Sequence, residues 1–113
     1  MQALALSMLA RVRLDRSEPA LALDASARAL AAFRAAGVEG SDVLVLSTHG
    51  EALLRSGRHD DARELLTNAL GRLEECAARL PEAMRAGYLG RVPENARVVR
   101  LASELGLRHG RLA

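Results

Sequence analysis

Five side chains carry most of the chemistry that the 113-residue sequence offers: His49, His59, Asp60, Asp61 and Cys76. A structural zinc ion needs four ligands in a tetrahedron, and the neighbouring His59 and Asp60 supply a pair without the others at metal-binding spacing. An acid at a helix start has a different use, because it offsets the partial positive charge of the exposed N–H groups. His59, Asp60 and Asp61 are therefore expected to open a helix rather than hold a metal. Cys76 follows Glu74 and Glu75, whose negative charge works against a reactive thiolate, so a small packing role is expected for it. One cysteine allows no internal disulfide and agrees with a reducing, cytoplasmic setting. An enzyme would require His49, His59 and Cys76 to converge. No Gly-rich phosphate loop, hydrolase elbow or kinase signature accompanies them. No catalytic residue, cofactor or metal is expected.

The elements that position these residues follow from composition. Half of the residues are apolar, yet Phe33 and Tyr88 are the only aromatics and Trp is absent. The core must then be built from Leu, Val and Ala, with Tyr88 filling its end rather than anchoring a ligand. Ala and Leu favour helices, whereas a sheet would draw on β-branched and aromatic residues. An all-α fold is expected, in one domain over residues 1–113, since the length does not provide two cores. All 16 basic residues are Arg and 14 residues are acidic; the absence of Lys points to a GC-rich bacterial coding sequence. A net charge of +2, with Arg interspersed among acids, gives no basic face for nucleic acid. The apolar opening from Met1 to Ala10 meets Arg11 and Arg13 too soon to span a bilayer, so no membrane association is expected.

Periodicity predicts about six helices. The first covers residues 3–15, with Leu6, Leu9, Ala10 and Leu14 inward. Ser17, Glu18 and Pro19 then supply a capping hydroxyl, an acid for the dipole and a proline where no N–H is needed, opening a second helix that ends near Gly37. Ala22, Ala25, Ala29, Leu30 and Phe33 share its inner face, and Asp24 and Arg28 are spaced for a surface pair. Gly37, Gly40, Ser41 and Asp42 make a turn into a third helix, 42–55, although Val43 to Leu46 could instead form a short strand. Gly57 closes it as a left-handed residue. A fourth, longest helix runs from His59 to about Leu80, a fifth from Glu82 to about Arg91, and a sixth from Pro93 to Gly106. The tail from Leu107 is expected to fray.

A shift of 40 lays Leu6 over Leu46, Ala10 over Gly50, Ala22 over Ala62, Ala29 over Ala69 and Leu30 over Leu70, which marks an internal repeat. It extends weakly to a third unit in which Gly90 follows Gly50 and Ala102 follows Ala62. The segment from His49 through Gly50, Gly57 and Ala62 to Ala69-Leu70 resembles the tetratricopeptide repeat family. Gly50 matches the small residue where two helices of a hairpin touch, Gly57 the turn, and Ala62 and Ala69 the small residues of the second helix. The longer period, and the stretch from Tyr88 to Arg97, resemble the C-terminal helical repeats of large bacterial signalling regulators. Leu46 and Leu66 stand where the family usually has aromatics, and its basic clamp for a terminal carboxylate has no counterpart.

The resemblance implies an α-solenoid of antiparallel hairpins, with units of about 3–37, 42–80 and a degenerate closing unit 82–106. It also implies a concave groove, lined by the first helices of the hairpins, that binds a partner polypeptide. The shared helical phase of Ser7, Arg11, Ser47, Glu51 and Arg55 makes them the expected groove contacts. Ala10, Ala22, Ala29, Gly50, Ala62 and Ala69 are the expected helix-packing positions. An alternative is a structural segment that packs against neighbouring repeats, or dimerises, through exposed apolar end faces. A third is a nucleic-acid regulator that reads with helix three or six.

Overall fold

The computed structural model describes residues 2–36 and 42–107, and within them every regular element is a helix. In chain order these are α1 (Gln2–Asp15), α2 (Pro19–Ala36), α3 (Asp42–Arg55), α4 (His59–Ala78), α5 (Glu82–Arg91) and α6 (Pro93–Glu104). The expected turn at Gly37, Gly40 and Ser41 lies outside the described residues. Val43 to Leu46 form the start of α3 rather than a strand. None of the described helices is long and apolar enough to cross a membrane.

The repeat is visible in the turns. After α1, the Ser17 N–H donates to the Leu14 carbonyl at 3.0 Å and the Glu18 N–H to the Arg13 carbonyl at 2.8 Å. Forty positions on, the Gly57 N–H donates to Leu54 at 3.1 Å and the Arg58 N–H to Leu53 at 2.9 Å. This pair of bonds closes a helix through a left-handed residue, and both pivots are left-handed, Ser17 at φ 59° and Gly57 at φ 80°. Ser17 is therefore not the N-terminal cap of α2: the three-residue reversal turns on a positive φ, and Ser17 provides it where the second hairpin uses glycine.

A third copy of this turn follows α6, where Gly106 (φ 71°) donates to Ser103 at 3.0 Å and Leu107 to Ala102 at 2.9 Å. Its pivot stands 49 positions after Gly57 (106 − 57), not 40, so the alignment of Gly90 with Gly50 is corrected. The nine additional positions are taken up by α5, a helix of 10 residues none of whose side chains is fully buried. Leu107 is tied into this turn and packs against the core. The remainder of the expected frayed tail lies outside the described residues.

Packing follows the turns. The α1–α2 hairpin receives α3 against both of its helices, α4 folds back on α3, and α6 lies on α3 and α4, with α5 packed against α4 and α6. Ala10, Ala22, Ala29, Ala62 and Ala69 are fully buried. Gly50 is buried too, and a Cβ built there would stand 2.8 Å from Cδ2 and 3.0 Å from Cγ of Leu66. Small residues at the crossings thus let helix backbones approach closely. Leu66, Leu73, Leu101 and Val98 supply the bulk of the enclosed core.

The first helix departs from its expected polarity. Leu9 is exposed, as are Leu4, Met8 and Val12. Apolar residues surround α1, so periodicity alone does not pick its inner face. On α2, Asp24 and Arg28 are both exposed.

Candidate partner-binding groove

Three parallel helices, α1, α3 and α6, form one face of the molecule. Their alignment is fixed by charge. Arg11 of α1 donates to Glu51 of α3 at 2.9 Å, Arg97 of α6 lies 3.8 Å from the same carboxylate, and Arg55 reaches it from one turn further along α3 at 4.0 Å. Arg55 also forms a two-pronged pair with Glu104 of α6, at 3.0 and 3.2 Å. Burial pushes the Glu51 carboxyl up, but the hydrogen bond from Arg11 and the charges of Arg11, Arg55 and Arg97 outweigh it and hold the group below its usual value. A buried carboxylate surrounded in this way stays ionised and fixes the register of all three helices.

Toward the N-terminal ends of the helices the same face turns apolar. A cleft of about 340 Å³ opens between Ser7, Met8, Arg11 and Val12 of α1, Leu44 and Thr48 of α3, and Pro93, Glu94 and Arg97 of α6. Met8 and Val12 expose 61% and 48% of their surface, which makes them the accessible wall. Ser7 is 2% exposed, and its Oγ, like Nε of Arg11, is buried without a hydrogen-bond partner. Ser47, forty positions later, spends its hydroxyl on the Leu44 carbonyl at 3.0 Å.

The five expected contacts thus separate. Ser7 and Arg11 line the cleft, while Glu51 and Arg55 join the ion network beside it. Ser47, expected on the open wall, is fully buried and contributes no surface. Sequence reasoning overlooked Arg97 and Glu104, whose phase on α6 was available once the third turn is aligned through Gly106. It also missed Met8, Val12, Leu44 and Pro93, because spacing does not mark which apolar residues stay exposed along a cleft.

The residues weighed for catalysis or metal binding lie apart. His49 Nδ1 is 2.7 Å from Ser26 Oγ, and the Ser26 hydroxyl donates to the Leu23 carbonyl at 3.1 Å. The His49–Ser26 hydrogen bond ties α3 to α2. Burial, with the charges of Arg34 and Arg58, lowers the His49 pKa against a smaller opposing effect of Asp61. His59, Asp60 and Asp61 open α4, and Asp61 pairs with Arg58 at 2.6 Å. Cys76 is exposed rather than packed inside. Tyr88 packs against the core cluster of Leu73 and Val98, and the buried amide of Asn95 donates to the Tyr88 carbonyl at 2.9 Å, joining α6 to α5. Among the described residues no three His, Cys, Asp or Glu side chains gather as a metal site would require.

Compared with protein-family models, curated proteins and solved structures, the chain matches none.

Proposed function

We propose that this chain is a tetratricopeptide-like interaction module, a short α-solenoid that holds a segment of a partner polypeptide in the groove of α1, α3 and α6. The observation that carries the reading is the apolar cleft between Met8, Val12, Leu44 and Pro93, set beside a fixed ion network. Concave sites with apolar walls and a few placed polar groups are where ligands bind. The repeated turns at Ser17, Gly57 and Gly106 support the solenoid, in which α6 serves as the first helix of a third unit. The all-arginine composition and the family resemblance support a module that works within a bacterial signalling or regulatory protein.

A random peptide library displayed on phage tests this reading. Peptides enriched on the wild-type chain are expected to bind Met8→Glu about tenfold more weakly, because a charge then enters an apolar contact at an exposed position. Enrichment that yields no peptide sensitive to Met8→Glu or Val12→Glu would remove the groove from consideration.

A second reading has its own support. Leu4, Met8, Leu9, Val12 and Leu21 are all exposed on α1 and the start of α2, and exposed apolar side chains gathered on one element favour contact with another protein surface. In this reading the chain is a structural or oligomerising segment. Sedimentation equilibrium separates the two: a dimer abolished by Leu4→Glu and Leu9→Glu, with peptide binding intact, assigns that surface to self-association.

A further inference from the structure

Three guanidiniums gather on the one carboxylate of Glu51, at 2.9 Å from Arg11, 3.8 Å from Arg97 and 4.0 Å from Arg55. They do not share it equally. Arg11 makes the hydrogen bond to it, and Arg55 has a second acid of its own in Glu104, held at 3.0 and 3.2 Å. Arg97 has only its part of Glu51, from beyond hydrogen-bond length, and forms no other ion pair among the described residues. Its surroundings carry a surplus of positive charge. Burial, followed by the repulsion of Arg11, lowers the Arg97 pKa against the attraction of Glu51, and Arg100, exposed on the next turn of α6, repels it more than Glu94 attracts it. A guanidinium stays protonated all the same, so the imbalance is permanent until a carboxylate arrives from outside.

The same residue lines the apolar cleft between α1, α3 and α6. Its guanidinium is only partly buried, and the side chain keeps 20% of its surface exposed, so a ligand can meet it there. An ion pair formed beside apolar walls is screened less than one on open surface. Resting on the groove reading above, we infer that the cleft holds an acidic segment of a partner polypeptide: one aliphatic side chain fills the space between Met8, Val12, Leu44 and Pro93, and a neighbouring Asp or Glu side chain pairs with Arg97. With Arg11 committed to Glu51, one guanidinium remains to bind the newcomer. That fits a single side-chain carboxylate rather than a chain end caged by several donors.

The test titrates the ¹⁵N-labelled chain with capped peptides in a Gly/Ser background carrying Leu-Glu-Leu, Leu-Gln-Leu or Ser-Glu-Ser. The Leu-Glu-Leu probe is expected to move the amide signals of Met8, Thr48 and Arg97. It should bind about tenfold more tightly than Leu-Gln-Leu, the worth of one charge-assisted hydrogen bond, and the preference should narrow as salt is raised. The Ser-Glu-Ser probe, with nothing to fill the apolar space, should leave the signals unmoved. Arg97→Gln should erase the preference for Leu-Glu-Leu over Leu-Gln-Leu. Glu51 keeps Arg11 and Arg55 in that variant, and an amide spectrum unchanged away from the cleft shows that the fold is kept.

Equal affinity for Leu-Glu-Leu and Leu-Gln-Leu in the wild-type chain would overturn the acidic occupant while leaving the groove standing. A preference that survives Arg97→Gln would overturn the pairing with Arg97. An uncapped peptide ending in Leu-Gln-Leu that binds as tightly as Leu-Glu-Leu would overturn the side-chain carboxylate in favour of a chain end. Signals that move only outside α1, α3 and α6, or that move for no probe, would overturn the inference and the groove together.

Discussion

His49 and Glu51 are two positions apart on α3, and the fold lowers the pKa of both for different reasons. Burial and nearby arginines keep His49 neutral, while the three guanidiniums around Glu51 keep it charged. In the unfolded chain each returns to its usual value, 6.5 for the imidazole and 4.5 for the carboxyl. The unfolded state then binds the proton more readily, so each group's contribution is complete above its unfolded value and is lost as pH falls through its folded one. The urea midpoint should therefore decline in two stages, one starting near pH 6.5 and one near 4.5. His49→Asn keeps a hydrogen-bonding group for Ser26 without a titrating ring, and should remove the first decline and keep the second. A wild-type midpoint that is flat from neutrality to about pH 5 would refute the buried, neutral imidazole. At this scale the sequence disclosed part of the site. Arg11, Glu51 and Arg55 share a helical phase that a single helix reveals. Arg97 and Glu104 depend on how α6 docks, and the internal bond of Ser47 depends on local geometry that spacing does not encode.

Among the elements, the α3–α4 crossing depends most on one small residue. Gly50→Ala gains helix propensity worth about 1 kcal/mol, but its methyl meets the fully buried Leu66 at 2.8 Å, and overpacking costs about 1–3 kcal/mol. The clash wins, and a net loss of about 1 kcal/mol is expected. Gly71, inside α4, has nothing within 4 Å of an added Cβ, so Gly71→Ala should gain about 0.5–1 kcal/mol. Chemical denaturation of the two variants side by side checks the argument, and equal gains would mean that the crossing is loose. All six helices were legible from apolar spacing, Gly57 and Pro93, because long periodic segments constrain their own conformation. The face that α1 buries was not, since Leu4, Met8, Leu9 and Val12 are as apolar as its true core residues. The first turn was placed, but Ser17 was expected as a cap and not as its left-handed pivot, because serine rarely takes that conformation.

At the level of the whole molecule, the repeat length of 40 was readable between the first two hairpins and failed at the third. The cause is α5, which has no counterpart between the first two hairpins and whose side chains are at most partly buried, as Tyr88 and Leu89 are against the core. What holds α6 is its own contact with α3 and α4, through Val98, Leu101, Ala102 and the Arg55–Glu104 pair. Brief trypsin treatment should therefore place the first internal cuts between Arg79 and Arg91, and the resulting pieces should elute together in gel filtration. A C-terminal piece that elutes alone would show that α5, not side-chain contact, keeps α6 in place.

If the connector between α4 and α6 does no more than join them, the molecule need not be one polypeptide. Residues up to α4 and a separate α6 peptide, expressed apart, would rebuild the third wall of the cleft on mixing. Their reunion would then serve as a reporter, strengthened by any segment lodged between α1 and α6 because that segment touches both pieces at once.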